Sequence, residues 1–103
     1  MQQSTKIAVA GGTGRLGRHI VDILQQQGYD VVPMARSTGV DVITGEGLDE
    51  ALVGVDTIID AATGPSPDQE AATEFFRTAA HNLQAAGERA GVRRMVVVSI
   101  IGI

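Results

Sequence analysis

The chain has 103 residues, 44% of them apolar, with 8 Lys and Arg against 12 Asp and Glu for a net charge of −4, and no cysteine. That length holds one domain at most, and the lack of cysteine excludes a disulfide scaffold, a thiolate zinc site and a thiol nucleophile, so the cytosol is the expected compartment. No apolar run reaches the roughly 20 residues of a membrane span, the start Met1–Thr5 is polar, and an acidic chain with only Tyr29, Phe75 and Phe76 as aromatics suits neither a membrane nor general nucleic-acid binding.

Lys6–Ala10 is a short unbroken apolar run ended by glycine, as in a strand buried on both faces of a parallel sheet. Leu16, Ile20, Ile23 and Leu24 then recur at helical spacing, predicting a helix over about Arg15 to Gln27 with Gly28 as its C-terminal cap. Tyr29–Ala35 reads as a second strand, pushed toward an edge or a bulge by Pro33. Only Arg36–Gly39 separates it from Val40–Ile43, too few residues for a crossover helix, so a third strand is a stub at best. Gly47–Gly54 holds one or two helical turns, Asp56–Ala62 a buried strand, and Thr63–Pro67 a loop. The longest helix runs from Asp68 to Ala90, with Ala71, Ala72, Phe75, Phe76, Ala79, Leu83, Ala86 and Ala90 mostly on one face and Gly91 as its stop. A final apolar strand runs from Arg94 to Ile103.

Alternating strands and helices predict an α/β fold, a doubly wound parallel sheet with strand order 3-2-1-4-5 in which strand 3 is the stub. The last strand is a long apolar edge that needs a cover. The expectation is therefore either that the C-terminal strands of a longer protein are missing here, or that the edge pairs with another chain.

Chemistry concentrates between the first strand and the first helix. Ala10-Gly11-Gly12-Thr13-Gly14-Arg15-Leu16-Gly17 contains both G-x-x-G-x-x-G and G-x-G-x-x-G in the strand-to-helix position that such a motif requires. One glycine permits the tight turn, Gly14 admits a pyrophosphate, Gly17 lets the helix pack closely, and the leading helix amides face the anion. The alternative is a glycine-rich turn in a fold that has lost its ligand. A Walker-type loop is excluded, because no Gly-Lys-Ser/Thr follows. About 20 residues on, an NAD site would show a carboxylate for the ribose hydroxyls. Arg36 and Ser37 stand there instead, and a guanidinium beside a hydroxyl suits a 2′-phosphate, favouring NADP(H) over NAD(H). Arg15 is a second cation for that phosphate, and the competing reading of Arg36 is a solvated loop arginine.

These residues resemble the short-chain dehydrogenase/reductase superfamily in its atypical or extended branch, which includes nitrogen-metabolite-repressor-like proteins and sugar-nucleotide epimerases. Ala10–Gly17 looks like that branch's glycine loop, and Gly91–Ser99 like its entry to the fifth strand. The resemblance covers nearly the whole chain and implies an NAD(P)-binding Rossmann domain. By that similarity Asp41 and Val42 would sit against the adenine, Ala61, Ala62, Thr63 and Gly64 would line the cofactor, Asn82 would belong to the long helix's inner face, and Ser99 would stand beside the nicotinamide as the catalytic serine. The family's Tyr-x-x-x-Lys pair, which exchanges a proton with substrate, does not follow that serine here. Tyr29 and Lys6, the single tyrosine and lysine, open strands and cannot replace it.

His19 and His81 lack a partner at metal-ligand spacing, so no metal site is expected. Asp56 and Asp60 stand about 13 Å apart along a strand and do not form a carboxylate pair. The sequence thus predicts an NADP(H)-binding module of a short-chain dehydrogenase/reductase-like oxidoreductase, incomplete for catalysis as given, acting on an unidentified small molecule. A non-catalytic NAD(P)-sensing protein is the alternative, and a homo-oligomer through the last strand or the long helix is open to either.

Overall fold

The computed structural model describes residues 5–12, 15–61 and 69–98, with the side chains of 15 and 69–72 outside the description. In chain order the elements are β1 (Lys6–Ala10), α1 (Arg15–Gln26), β2 (Asp30–Met34), a single 3-10 turn (Arg36–Thr38), α2 (Leu48–Ala51), β3 (Thr57–Asp60), α3 (Gln69–Ala90) and β4 (Arg94–Val97). All strand pairs are parallel, in the order β2-β1-β3-β4.

β1 is central because both of its faces are apolar. Ile7 and Val9 pack under α1 with Val21, Leu16, Ile20 and Leu24, while Ala8 and Ala10 meet Leu48, Leu52, Leu83 and Ala86 from α2, its following turn and α3 on the other face. Helices on both sides of a parallel sheet explain why its strands read as continuous apolar runs. α1 departs from the expected stripe at one place: Val21 is buried, whereas Ile23 is 41% exposed. Ile23 falls at the flank of the buried arc, and that spacing alone does not separate flank from centre.

β2 is an edge of this sheet, as Pro33 implies. The Asp30 amide donates to Thr5 and the Met34 carbonyl accepts from Gly11, so the even-numbered peptide groups face β1. Pro33 therefore turns its missing donor outward, where no ladder bond is lost. The expected third strand does not form. Asp41 donates its amide to Glu46 and accepts from Gly45 through its carbonyl, and its carboxylate takes the amides of Ile43 and Thr44. Val40–Ile43 is thus a compact loop. Four residues are too short for a crossover, and an aspartate that bonds its own backbone competes with a ladder.

α3 buries Ala79, Leu83 and Ala86 and ends at Gly91, whose φ of 80° is left-handed. Gly87 brings it close to the sheet: a Cβ there would stand 3.2 Å from Ile58 Cδ1. Phe75 packs on the core, but Phe76 lies 41% exposed with its ring edge-on to Phe75 at 5.9 Å. β4 is thinly covered, with Val96 and Val97 both largely exposed. The part of the final strand beyond Val98 lies outside the described residues.

Candidate functional site

Parallel strands put their carboxyl ends along one edge of the sheet, here Ala10, Met34, Asp60 and Val97. From β1 the chain goes outward to β2 on one side, then returns to β3 on the other, so the direction reverses between β1 and β3. In open sheets of this kind the crevice above that reversal is where ligands bind. The glycine loop leaves β1 at this point.

Gly11 has a φ of 76°, and both its amide and that of Gly12 donate to the Met34 carbonyl, at 2.8 and 3.3 Å. These two amides tie the loop to the end of β2 and are not donors for a ligand. Gly12 lies flat against β2: a Cβ there would stand 2.8 Å from Pro33 Cα and Cβ and 3.0 Å from the Val9 carbonyl oxygen. A Cβ on Gly17 would run into the Gly11 carbonyl oxygen, so the first turn of α1 rests directly on the loop. The leading amides of α1, at Arg15, Leu16 and Gly17, are the candidate donors for an anion, because an α-helix does not satisfy them internally and they carry its positive dipole end. Leu16 itself points inward, into the cluster beneath α1. Thr13 and Gly14 lie outside the described residues, as does the Arg15 side chain.

Arg36 and Ser37 follow the end of β2 in the 3-10 turn, and both are exposed. Thr38 holds that turn. Its hydroxyl accepts from the Ala35 amide and donates to the Ala35 carbonyl, each at 2.9 Å. The Ala35 carbonyl also takes the amides of Thr38 and Val40. The loop that follows closes on itself, since Gly39 and Gly47 both adopt positive φ and a Cβ on Gly47 would meet the Gly39 carbonyl oxygen. Within it Asp41 Oδ1 accepts from Ile43 at 2.8 Å and Thr44 at 3.3 Å, Val42 packs on the core, and Asn82 of α3 donates to the carbonyls of Val42 and Ile43.

On the other side of the reversal, buried Ala61 donates its amide to the Ala10 carbonyl at 3.0 Å. Ala62, Thr63, Gly64 and Ser99 lie outside the described residues. The structure thus gathers Gly11, Gly12, Gly17, Arg36, Ser37 and Ala61 around one edge of the sheet, with the Asp41–Val42 loop beside it.

Asp60 was weighed only as a partner for Asp56, and its burial was not expected. It ends β3 with 2% exposure, in register with Ala10 and on the same sheet face as Ile58. Strict alternation from Ile58 is the signal that would have found it. Asp56 lies at the opposite end of the strand, where it accepts from the Thr57 hydroxyl at 2.8 Å and pairs weakly with Arg93 at 3.9 Å. His19 and His81 are exposed on helices that cover opposite faces. An open groove of about 430 Å³ runs along the outer edge of β2, between Val32, Pro33, Val40 and Ala51. Among the described residues, no helix is long and apolar enough to cross a membrane.

A family model described as NAD(P)H-binding matches residues 11–103. Photosystem II assembly factor Ycf39 of Synechocystis sp. is 33% identical over 110 residues, covering 93% of this chain and 34% of the relative. UDP-N-acetylglucosamine 4-epimerase from Bacillus cereus superposes with a TM-score of 0.79 at 27% identity, over 93% of this chain and 35% of its own. A short-chain dehydrogenase/reductase superfamily protein from Agrobacterium tumefaciens, solved with bound NAD, gives a TM-score of 0.68 at 30% identity, over 91% of this chain and 32% of its own. The chain therefore spans about a third of the length of each of these proteins.

Proposed function

The chain belongs to the NAD(P)H-binding family, and from that premise we propose that it binds NADP(H) in preference to NAD(H), as the cofactor module of a short-chain dehydrogenase/reductase-like oxidoreductase in the cytosol. What carries the reading is the way the glycine loop is tied down: two of its amides are bound to the end of β2, and the first turn of α1, whose leading amides have no carbonyl partner within the helix, rests directly on it. That arrangement suits a pyrophosphate at Gly14 to Gly17, with Thr13 and Arg15 beside it, and the 2′-phosphate at Arg36 and Ser37. In the same reading Asp41 and Val42 take the adenine, Ala61, Ala62 and Thr63 line the far half of the cofactor, and Ser99 stands beside the nicotinamide. Bound there, the dinucleotide would supply a hydride acceptor or donor. The chain's own residues bind and orient it.

The substrate class proposed is a carbonyl, an alcohol or a nucleotide-linked sugar, which is supported by the epimerase among the similar structures. The alternative reading is a sensor that binds the cofactor without turnover. Lys6 and Tyr29 stand at or before the starts of β1 and β2, the end of the sheet away from the glycine loop, and Lys6 is bonded to the Val53 carbonyl at 2.8 Å. Neither is available as a proton donor to a bound cofactor.

Calorimetry with NADPH and NADH tests the proposal. NADPH is expected to bind at least about tenfold more tightly, the worth of one charge-assisted contact, and Arg36→Asp is expected to reverse the order. Equal affinities in the unaltered chain would remove Arg36 from the reading, and no binding of either would remove the reading itself. Oxidation of NADPH by carbonyl substrates would favour the enzyme over the sensor.

A further inference from the structure

Among the described residues the sheet ends at β2 on one side and at β4 on the other, and no strand pairs with either outer edge. At β2 the segment that could have covered the edge, Val40–Ile43, is bonded into its own loop. A groove of about 430 Å³ is left between Val32, Pro33, Val40 and Ala51, with Glu50 on its rim. The Asp30 amide donates to Thr5 on the β1 side, so the peptide groups of Val31 and Pro33 point outward. Proline has no N–H, and this edge therefore offers one donor, at Val31, and two acceptors, at Val31 and Pro33. Asp30 is exposed and alternates onto the sheet face of Val32, and neither it nor Glu50 has an ion-pair partner among the described residues.

β4 is the complement of that edge. The Arg94 and Val98 amides donate to the Asp56 and Asp60 carbonyls at 3.2 and 2.9 Å, which turns the peptide groups of Met95 and Val97 outward. Arg93 and Arg94 stand at its start, both exposed, and Val96 and Val97 follow them. Met95 packs with Ile58 on the face covered by α2 and α3, so Arg93 and Val97 alternate onto that face too. Laid parallel along β2 of a second copy with Arg94 opposite Val31, β4 would take the Val31 amide on the Arg93 carbonyl. The Met95 and Val97 amides would donate to the Val31 and Pro33 carbonyls. The same register sets Arg93 beside Asp30 and Met95 beside Val32, on the groove side. Laid antiparallel, the arginines would instead meet Arg36 beyond the other end of β2. We infer that β4 of one copy docks in the β2 groove of the next, a head-to-tail contact that lengthens with concentration and does not close at a dimer.

The test is complementation between two surface variants of the 103-residue chain, followed by sedimentation. Val97→Lys disables β4 and leaves the groove, whereas the double variant Asp30→Lys with Glu50→Lys reverses the groove's charge and leaves β4. The unaltered chain is expected to grow past the dimer as concentration rises, and less so in high salt. Each variant alone is expected to associate at least about tenfold more weakly, since like charges then face each other or an edge strand carries a lysine. Their equimolar mixture is expected to regain the affinity and stop at a 1:1 dimer. Self-association of the double variant at the unaltered strength would show that β4 pairs with β4, and it would overturn the inference. A mixture that stays monomeric, or an unaltered chain that stops at a dimer or never associates, would overturn it as well. Should a variant not fold, hydrogen exchange in the unaltered chain decides: the outward amide of Val31 is expected to be protected as concentration rises, and exchange independent of concentration would overturn the inference.

Discussion

At the scale of single residues, the glycines of the loop divide into those that shape it and those that merely punctuate. Gly17 meets the Gly11 carbonyl directly, and Gly12 meets Pro33, so a methyl group at either site displaces backbone. Gly17→Ala is expected to lower stability by about 1–3 kcal/mol, the usual penalty for overpacking, and to abolish dinucleotide binding; thermal melts and calorimetry check the two effects separately. Gly28 is the control. It has a φ of 89° and nothing within 4 Å of a built Cβ, so Gly28→Ala is expected to cost about 1 kcal/mol for its left-handed backbone and leave binding untouched. The importance of Gly17 was legible in the sequence, because its spacing from Gly11 and Gly14 carries the reason with it. Asn82 was legible only as a resemblance, since its partners lie some 40 residues away and no local pattern announces a bond of that range.

At the scale of elements, the strands and helices with strong apolar periodicity form where the pattern puts them, and the differences arise where short-range polar bonding competes. Val40–Ile43 has the alternation of a strand, but the Asp41 carboxylate captures the next amides and the loop folds on itself. α2 contains only Leu48–Ala51, and what fixes it is burial of Leu48 and Leu52 together with the Asp49–Arg89 pair that joins it to α3 at 3.0 Å. Both partners of that pair are well exposed, so Arg89→Ala is expected to destabilise the protein by less than about 1 kcal/mol, an effect that fades in high salt. Leu83, fully buried between α3 and the sheet, is the contrast. Leu83→Ala is expected to cost about 2–5 kcal/mol irrespective of salt, and denaturant titrations at two ionic strengths distinguish the two variants.

At the scale of the whole molecule, the doubly wound architecture was readable because the strands at Lys6–Ala10, Tyr29–Ala35 and Asp56–Ala62 are short apolar runs alternating with helical periodicity, and the uncovered last strand was readable as an apolar edge, whereas how much of it the fold leaves exposed was not. Val96 and Val97 face opposite sides of β4 and are 49% and 57% exposed. We propose that the isolated chain associates through this strand. Sedimentation is expected to show concentration-dependent self-association that Val97→Lys suppresses, because a charge on an edge strand discourages pairing; a monomer at all concentrations would count against it. The single lysine offers a practical handle. Its ammonium group rests on the carbonyl that follows α2, at the floor of the sheet. A fluorophore coupled to that amine would sit a full strand length below the nucleotide crevice, so such a label can report on tumbling and assembly without intruding on ligand titrations.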